Sequence, residues 1–293
     1  METPFPPFDP EGRPRFGRLG RIPLRVLLPN LVTLLALCSG LTAVRLAIEE
    51  RIELALAAIV FAALLDGIDG RLARALKGTS RFGAELDSLA DFVNFGCVPA
   101  LMLYFWGLNE AGAFGWIAAL TYAICAALRL ARFNVMLDDP DRPAFAADFF
   151  TGIPAPAGAI TVLLPVYLEL LGAPHGFWSA PLALIYCLAI AFLMISNVPA
   201  WSGKTLGGRV RRDMVLPLFV LVALYFALLA SFPWAVLATC SAIYLALLPV
   251  SALRYRRLMA AHRAESAQHG RPRSERAAED PAAPAPPAPG PSA

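Results

Sequence analysis

Four aspartates, Asp66, Asp69, Asp87 and Asp91, fall within 26 residues of a chain whose composition otherwise suits lipid. A carboxylate at the centre of an inserted helix costs about 2.5 to 3.5 kcal/mol, so the group needs a chemical reason. Asp66 and Asp69 are three positions apart, Asp87 and Asp91 four. On helices both spacings put the two carboxylates on one face, a turn apart. The stretch between the pairs is short, so the two carriers should form an antiparallel hairpin with all four acids at one depth. Carboxylates at such range cannot all stay ionised without compensating positive charge. One or two divalent cations are the simplest compensation, and an all-oxygen donor set suits Mg²⁺, Mn²⁺ or Ca²⁺ rather than Zn²⁺ or copper. Two such ions could clamp phosphate oxygens and stabilise charge on attacking and leaving groups alike.

The residues between the acids fit the same chemistry. Gly67 and Gly70 sit where a helix is expected, although glycine there costs about 0.8 to 1.0 kcal/mol relative to alanine. A bare backbone beside the acids lets a bulky ligand approach. Ala73 extends that surface, and Arg74, one turn beyond Gly70, offers a guanidinium fork that suits a diphosphate. Gly83 repeats the bare surface one turn before Asp87. Other readings exist for the parts. Acids such as Asp87 and Asp91 are favourable near a helix N-terminus, and glycines in membrane helices often serve as packing notches. Asp66 and Asp69 fall toward a C-terminus, where the dipole disfavours them, so the set as a whole points to ligand binding.

The carrier elements follow from hydropathy. The 293 residues are 58% hydrophobic and 16% charged, against about 45–50% apolar in soluble domains. A spanning helix needs about 20 mostly apolar residues. Eight segments qualify: 26–48, 54–76, 84–108, 113–136, 155–173, 177–197, 214–231 and 234–253. The expected fold is an all-α integral membrane bundle of about eight transmembrane helices. The first apolar run is long enough to be retained as an anchor rather than cleaved. Alternate connections are basic: Arg13 to Arg25 before the first span, Arg74 to Arg81 after the second, Arg129 to Arg142 after the fourth, Lys204 to Arg212 after the sixth, and Arg254 to Arg257 after the eighth. The positive-inside rule then puts both termini, and the aspartates, on the cytoplasmic side. No nucleic acid is expected as a partner. The five cysteines stand singly without a CxxC pair, which argues against zinc or disulfides. His175 lies in an outer connection, and His262 and His269 lie in the tail, so no histidine is placed for catalysis. The Pro/Ala-rich end reads as a disordered cytoplasmic tail.

The motif D66-G-I-D69-G70-x-x-A73-R74, eight residues, then G83-x-x-x-D87-x-x-x-D91 resembles the complete signature of the CDP-alcohol phosphotransferase family. The resemblance implies a membrane-embedded transferase that displaces CMP from a CDP-linked donor with the hydroxyl of an acceptor. It implies a six-helix catalytic core with two helices added, in the cytoplasmic membrane of a bacterial-type cell, and a homodimer. Domain limits would be a basic arm over 1–25, the core over 26–210, the two added helices over 211–256 and the tail over 257–293. Asp66, Asp69, Asp87 and Asp91 would bind two Mg²⁺ or Mn²⁺ ions, with Asp91 also the general base. Gly70, Ala73, Arg74 and Gly83 would line the CDP site. Asn30 and Thr33 at the entry of the first span could contact nucleotide or phosphates, or could serve as ordinary caps.

Further segments, LPNLVTLLALCSG (28–40), RFGAELDSLADFVNFGCVPALMLY (81–104), ALRLARFNV (127–135) and FFTGIPAPAGA (149–159), resemble the family members that use serine. That implies CDP-diacylglycerol as donor and L-serine as acceptor. Phe92 stands just after the fourth aspartate, where relatives acting on glycerol phosphate usually carry lysine. Arg129, Arg132 and Asn134 could hold serine carboxylate or lipid phosphate, or simply mark a cytoplasmic loop. Ser202 and Lys204 have the same two readings. Asn94 could orient the acceptor or make a helix–helix hydrogen bond. Glycerol 3-phosphate, an inositol phosphate or choline are the alternative acceptors. A cation or proton transporter is the reading from another class, but no second copy of the acidic pattern exists to suggest the repeats common in transporters.

Overall fold

The computed structural model describes residues 24–137, 149–174, 180–196, 199–201 and 212–270. Two compact units meet at Leu130 and Ala131. The first contains α1 (Leu24–Ile48), α2 (Ile52–Ala75), α3 (Arg81–Asp91), a π-helical turn (Phe92–Cys97), α4 (Val98–Trp106), a 3-10 turn (Leu108–Ala111) and most of α5 (Ala113–Leu137).

Helix α1 buries one narrow stripe: Pro29, Thr33, Ala36, Gly40, Ala43 and Ala47. Steps of four and three repeat every 3.5 residues on average, the period of a helix pair that stays in contact. Small residues on this seam let backbones approach closely, which in lipid is the main source of helix attraction. Helix α2 answers with Ala55, Leu56, Ile59, Ala62 and Asp69 as its buried residues. Ser39 Oγ also donates to Ala58 O at 2.8 Å. The other faces of α1 expose Leu27, Leu31, Leu34, Leu35 and Leu41, as suits contact with acyl chains.

The connection from α2 to α3 is anchored on the start of α1. Pro29 has no N–H for the carbonyl of Arg25, four residues back. Gly78 packs against that carbonyl so closely that any side chain would collide with it. Ser80 then caps α3, its Oγ accepting the Gly83 N–H at 3.0 Å. Beyond Asp91 the helix widens into the π turn, where Val98 N bonds Val93 O. Tyr122 OH, from α5, donates to Phe95 O in the same turn at 3.2 Å.

The second unit contains β1 (Phe149–Thr151), α6 (Ala155–Val162), α7 (Leu164–Leu170), α8 (Ala180–Ile195), β2 (Pro199–Trp201), α9 (Arg212–Ser231) and α10 (Pro233–Gly270). The expected fifth span is broken between α6 and α7. Pro165 cannot donate to Thr161 O, and Tyr186 OH donates to it instead at 2.6 Å. A freed carbonyl in an apolar interior has to find such a donor. The helical architecture is also joined by a short antiparallel ribbon, with Phe149 opposite Trp201 and Thr151 opposite Pro199. Phe, Thr and Trp favour extended backbone, and Gly152, at φ 79°, turns the chain out of the ribbon toward α6.

All eight segments expected to span are helical over most of their length. Five of the described helices are long and apolar enough to cross a membrane: Arg25–Ile48, Arg81–Trp106, Ala113–Met136, Met214–Ser231 and Pro233–Ser251. Helix α2 has 24 residues, but its last turns carry Asp66, Asp69, Arg71 and Arg74. The runs Ala155–Leu170 and Ala180–Ile195 are apolar and shorter.

Candidate active site

The hairpin of α2 and α3 brings the acids together as their spacing requires. One carboxylate oxygen from each of Asp66, Asp69 and Asp87 lies within 4.8 Å of the other two. Opposite oxygen ligands stand about 4.2 Å apart across Mg²⁺ and about 4.8 Å apart across Ca²⁺, so this triad can close on one divalent ion. The donor set is all carboxylate, as a hard cation prefers. Asp66 Oδ1 is buried with no hydrogen-bond partner, a state that a bound cation would relieve. The residues present therefore fit a divalent metal. Asp91 lies outside the triad, against Asp66. Arg129, itself buried, is the cation whose charge reaches Asp91. Arg74 reaches Asp87.

Asp69 is the most firmly held of the four. It is 2% exposed. Its Oδ2 accepts from Thr33 Oγ1 at 2.6 Å and its Oδ1 from the Gly70 N–H at 2.5 Å.

Beside the triad is a cavity of about 220 Å³. Asn30, Thr33, Gly70, Ala73, Arg74 and Gly83, the residues expected to meet CDP, all line it, together with Asp69 and Asp87. Gly70 presents open space, its nearest neighbour being the Arg74 guanidinium at 3.7 Å from where a Cβ would stand, and Gly67 faces nothing within 4 Å. Gly83 is different. A Cβ there would lie 2.8 Å from Asn30 Oδ1 and 3.1 Å from Ser80 Oγ, so its bareness accommodates protein as well as ligand. The cavity wall also includes Pro29, Gly78, Thr79, Ser80 and Ala84, which spacing alone did not single out. A Thr-Ser pair ahead of a helical run is an N-cap signal, and it would have identified Ser80.

The other expected site residues are spread more widely. Asn94 is buried in the π turn one turn past Asp91, with Oδ1 and Nδ2 both unpartnered and packed on Gly40 of α1. The helix–helix hydrogen bond open to it is not made. Arg132 belongs to the second unit, where its Nη1 donates to Ile195 O at 3.0 Å and its Nη2 to Ser196 O at 3.4 Å. It thus caps the C-terminus of α8, where cations are favourable. Asn134 is exposed in that unit. Ser202 and Lys204 lie outside the described residues.

Residues 26–195 match the family described as CDP-alcohol phosphatidyltransferase. The chain belongs to that family. A second model, CDP-alcohol phosphatidyltransferase 2, matches residues 213–249, across α9 and the start of α10. Among curated relatives, the chain is 40% identical over 252 residues to a CDP-diacylglycerol–serine O-phosphatidyltransferase of Mycobacterium leprae (strain TN), covering 85% of this chain and 81% of the relative. It is 45% identical over 189 residues to the protein of that name from Mycobacterium tuberculosis (strain ATCC 25618 / H37Rv), covering 64% of each. The Helicobacter pylori (strain ATCC 700392 / 26695) protein of that name is 33% identical over 222 residues, covering 75% of this chain and 88% of the relative. The acids and the cavity of the first unit all fall inside the span matched to CDP-alcohol phosphatidyltransferases.

Proposed function

We propose that the chain transfers the phosphatidyl group of CDP-diacylglycerol to the hydroxyl of L-serine, giving phosphatidylserine and CMP. The observation that carries this reading is the meeting of a carboxylate triad with a cavity walled by Asn30, Gly70, Ala73, Arg74 and Gly83. The serine assignment draws its support from the names of the relatives. Asp66, Asp69 and Asp87 would hold a divalent ion, Mg²⁺ or Mn²⁺, which supplies charge neutralisation on the diphosphate. Asp91 would be the carboxylate left for a second ion.

The remaining steps belong to the chain's own side chains. Arg74 binds the diphosphate at the cavity wall, and Gly70 lets it lie against α2. Asp91, set apart from the triad, accepts the serine hydroxyl proton as the hydroxyl oxygen attacks the lipid-side phosphorus. An O–P bond forms there, the diphosphate P–O bond breaks, and CMP departs with the electron pair. Arg129 stabilises the Asp91 carboxylate before that transfer. Phosphoryl transfer asks mainly for positioning and charge compensation, and this site is built for both. Asn94 is assigned to orienting the acceptor. Eight spans, cytoplasmic termini, a catalytic core over 26–210, a site open to the cytoplasm of a bacterial inner membrane, and a homodimer belong to the same proposal.

The test is CMP release by purified protein from CDP-diacylglycerol with Mg²⁺ or Mn²⁺. Release that depends on serine and yields phosphatidylserine is expected. Activity with glycerol 3-phosphate, an inositol phosphate or choline alone would replace the acceptor, and no release with any alcohol would sink the transferase reading.

A further inference from the structure

We propose that Thr33 is a positioning residue for the divalent-cation site, holding Asp69 in ligating orientation instead of contacting the nucleotide; this rests on the metal-centre reading above. Thr33 lines the cavity, so from sequence a phosphate contact was open to it. The hydrogen bonding argues otherwise. A threonine hydroxyl has one hydrogen, and a phosphate oxygen can only accept. Thr33 Oγ1 directs that hydrogen to Asp69 Oδ2 at 2.6 Å, with Pro29 O at 3.1 Å as the alternative acceptor. A carboxylate is the stronger acceptor, and its bond is the shorter one. No donor is left for phosphate.

The geometry of Asp69 completes the case. Both its oxygens receive donors, one from α1 and one from its own helix at Gly70, whereas Asp66 Oδ1 receives none. The carboxylate plane of Asp69 is therefore fixed before any ion arrives, while each oxygen keeps a lone pair for it. Thr33 is itself enclosed, 4% exposed on the α1 seam. Partners that orient metal ligands in this way typically change ion affinity by about 10- to 100-fold when removed.

Thr33→Val keeps the shape and loses the hydroxyl, and Thr33→Ser keeps the hydroxyl. The measurement is Mn²⁺ binding by electron paramagnetic resonance, with the full chain in lipid nanodiscs and no CDP-lipid present. Asp69→Asn is the control for loss of a ligand. Thr33→Val should weaken Mn²⁺ binding by about 10-fold or more, Thr33→Ser should retain most of it, and the KM for CDP-diacylglycerol at saturating Mn²⁺ should stay unchanged in both. Wild-type affinity in Thr33→Val, or equal losses in both variants, would overturn the assignment. So would an unchanged ion affinity with a raised CDP-diacylglycerol KM, which would return Thr33 to the nucleotide. If wild type and Asp69→Asn alike bind no Mn²⁺, the metal centre itself is wrong, and Thr33 falls with it.

Discussion

Gly83→Ala probes whether the cavity wall is shaped by ligand or by protein. The added Cβ would stand 2.8 Å from Asn30 Oδ1, 3.1 Å from Ser80 Oγ and 3.8 Å from Asn30 Cγ. Ordinary contact begins near 3.4 Å, so the first overlap is 0.6 Å and the second 0.3 Å. Both clashing atoms are side-chain tips. Asn30 can swing aside without moving α1, and the Ser80 cap can lengthen without unwinding α3. Overpacking of this kind costs about 1 to 3 kcal/mol, and relief by a side-chain swing puts this case toward the lower end. The protein should fold. The cost appears in the cavity, because Asn30 leaves the position from which it lines the wall. A loss of about 1.4 kcal/mol is tenfold in binding. The KM for CDP-diacylglycerol should rise by about that factor, with kcat changed much less because the triad is untouched.

Asn30→Ala separates the two explanations. If Gly83 matters through Asn30, the double variant should be little worse than Asn30→Ala alone, since the larger of the two clashes has gone. The assay is steady-state CMP release against CDP-diacylglycerol at fixed, saturating serine and Mn²⁺. Additive losses in the double variant would show that the methyl meets the nucleotide directly. An unchanged KM in Gly83→Ala would show that Asn30 does not shape the cavity wall for the nucleotide.

Asp91→Asn should lower kcat by about 10²- to 10⁴-fold while the first Mn²⁺ still binds the triad; retained turnover would remove its role as base, and loss of that first ion would make it a primary ligand. Asp69→Asn should do the reverse, with ion binding failing first in the Mn²⁺ titration; wild-type ion affinity would remove Asp69 from the triad. Tyr186→Phe leaves Thr161 O without the donor that replaces the missing proline N–H. Unfolding in detergent should become easier by about 1 kcal/mol, between the roughly 0.6 average for membrane hydrogen bonds and the penalty of about 1 to 3 for an orphaned carbonyl. No shift would mean that carbonyl has another partner. Arg132→Met should loosen the C-terminus of α8, seen as faster amide exchange at Ile195 and Ser196; unchanged exchange would show that the cap contributes nothing.

Much of this was legible because its signals are local. Hydropathy located all eight helical segments, but it ended the last at 253, whereas α10 continues to Gly270 into the stretch expected as tail. Spacing put the aspartates on facing helices, and Gly70, Gly83 and Arg74, though not Gly67, marked the wall of the cavity. What escaped depends on partners distant in sequence. Arg132 carries the same charge whether it binds a substrate or caps a helix, and the deciding carbonyls of Ile195 and Ser196 are more than 60 residues away. Hydropathy read the fifth span as one run, whereas Pro165 breaks it, and nothing in its neighbourhood named Tyr186 as the replacement donor. The ribbon pairs two three-residue strands 50 positions apart, too short for either to stand out among apolar helices.

Thr33 lies between these cases. The buried stripe of α1 steps through 29, 33, 36, 40, 43 and 47, and all but Thr33 are proline, alanine or glycine. On α2 the buried positions 55, 59, 62 and 69 keep the same period, with Asp66 at the step between the last two. An antiparallel pair whose seam starts from small residues must therefore bring the early part of α1 against the acids of α2. A hydroxyl on that seam has to meet one of them, because polar groups buried between apolar helices do not go unpaired cheaply. Asn94 shows the opposite outcome two turns further along the same seam, where Gly40 leaves room for an amide but offers it no bond. The difference separates a side chain already committed to holding a ligating carboxylate from one still free to meet the acceptor.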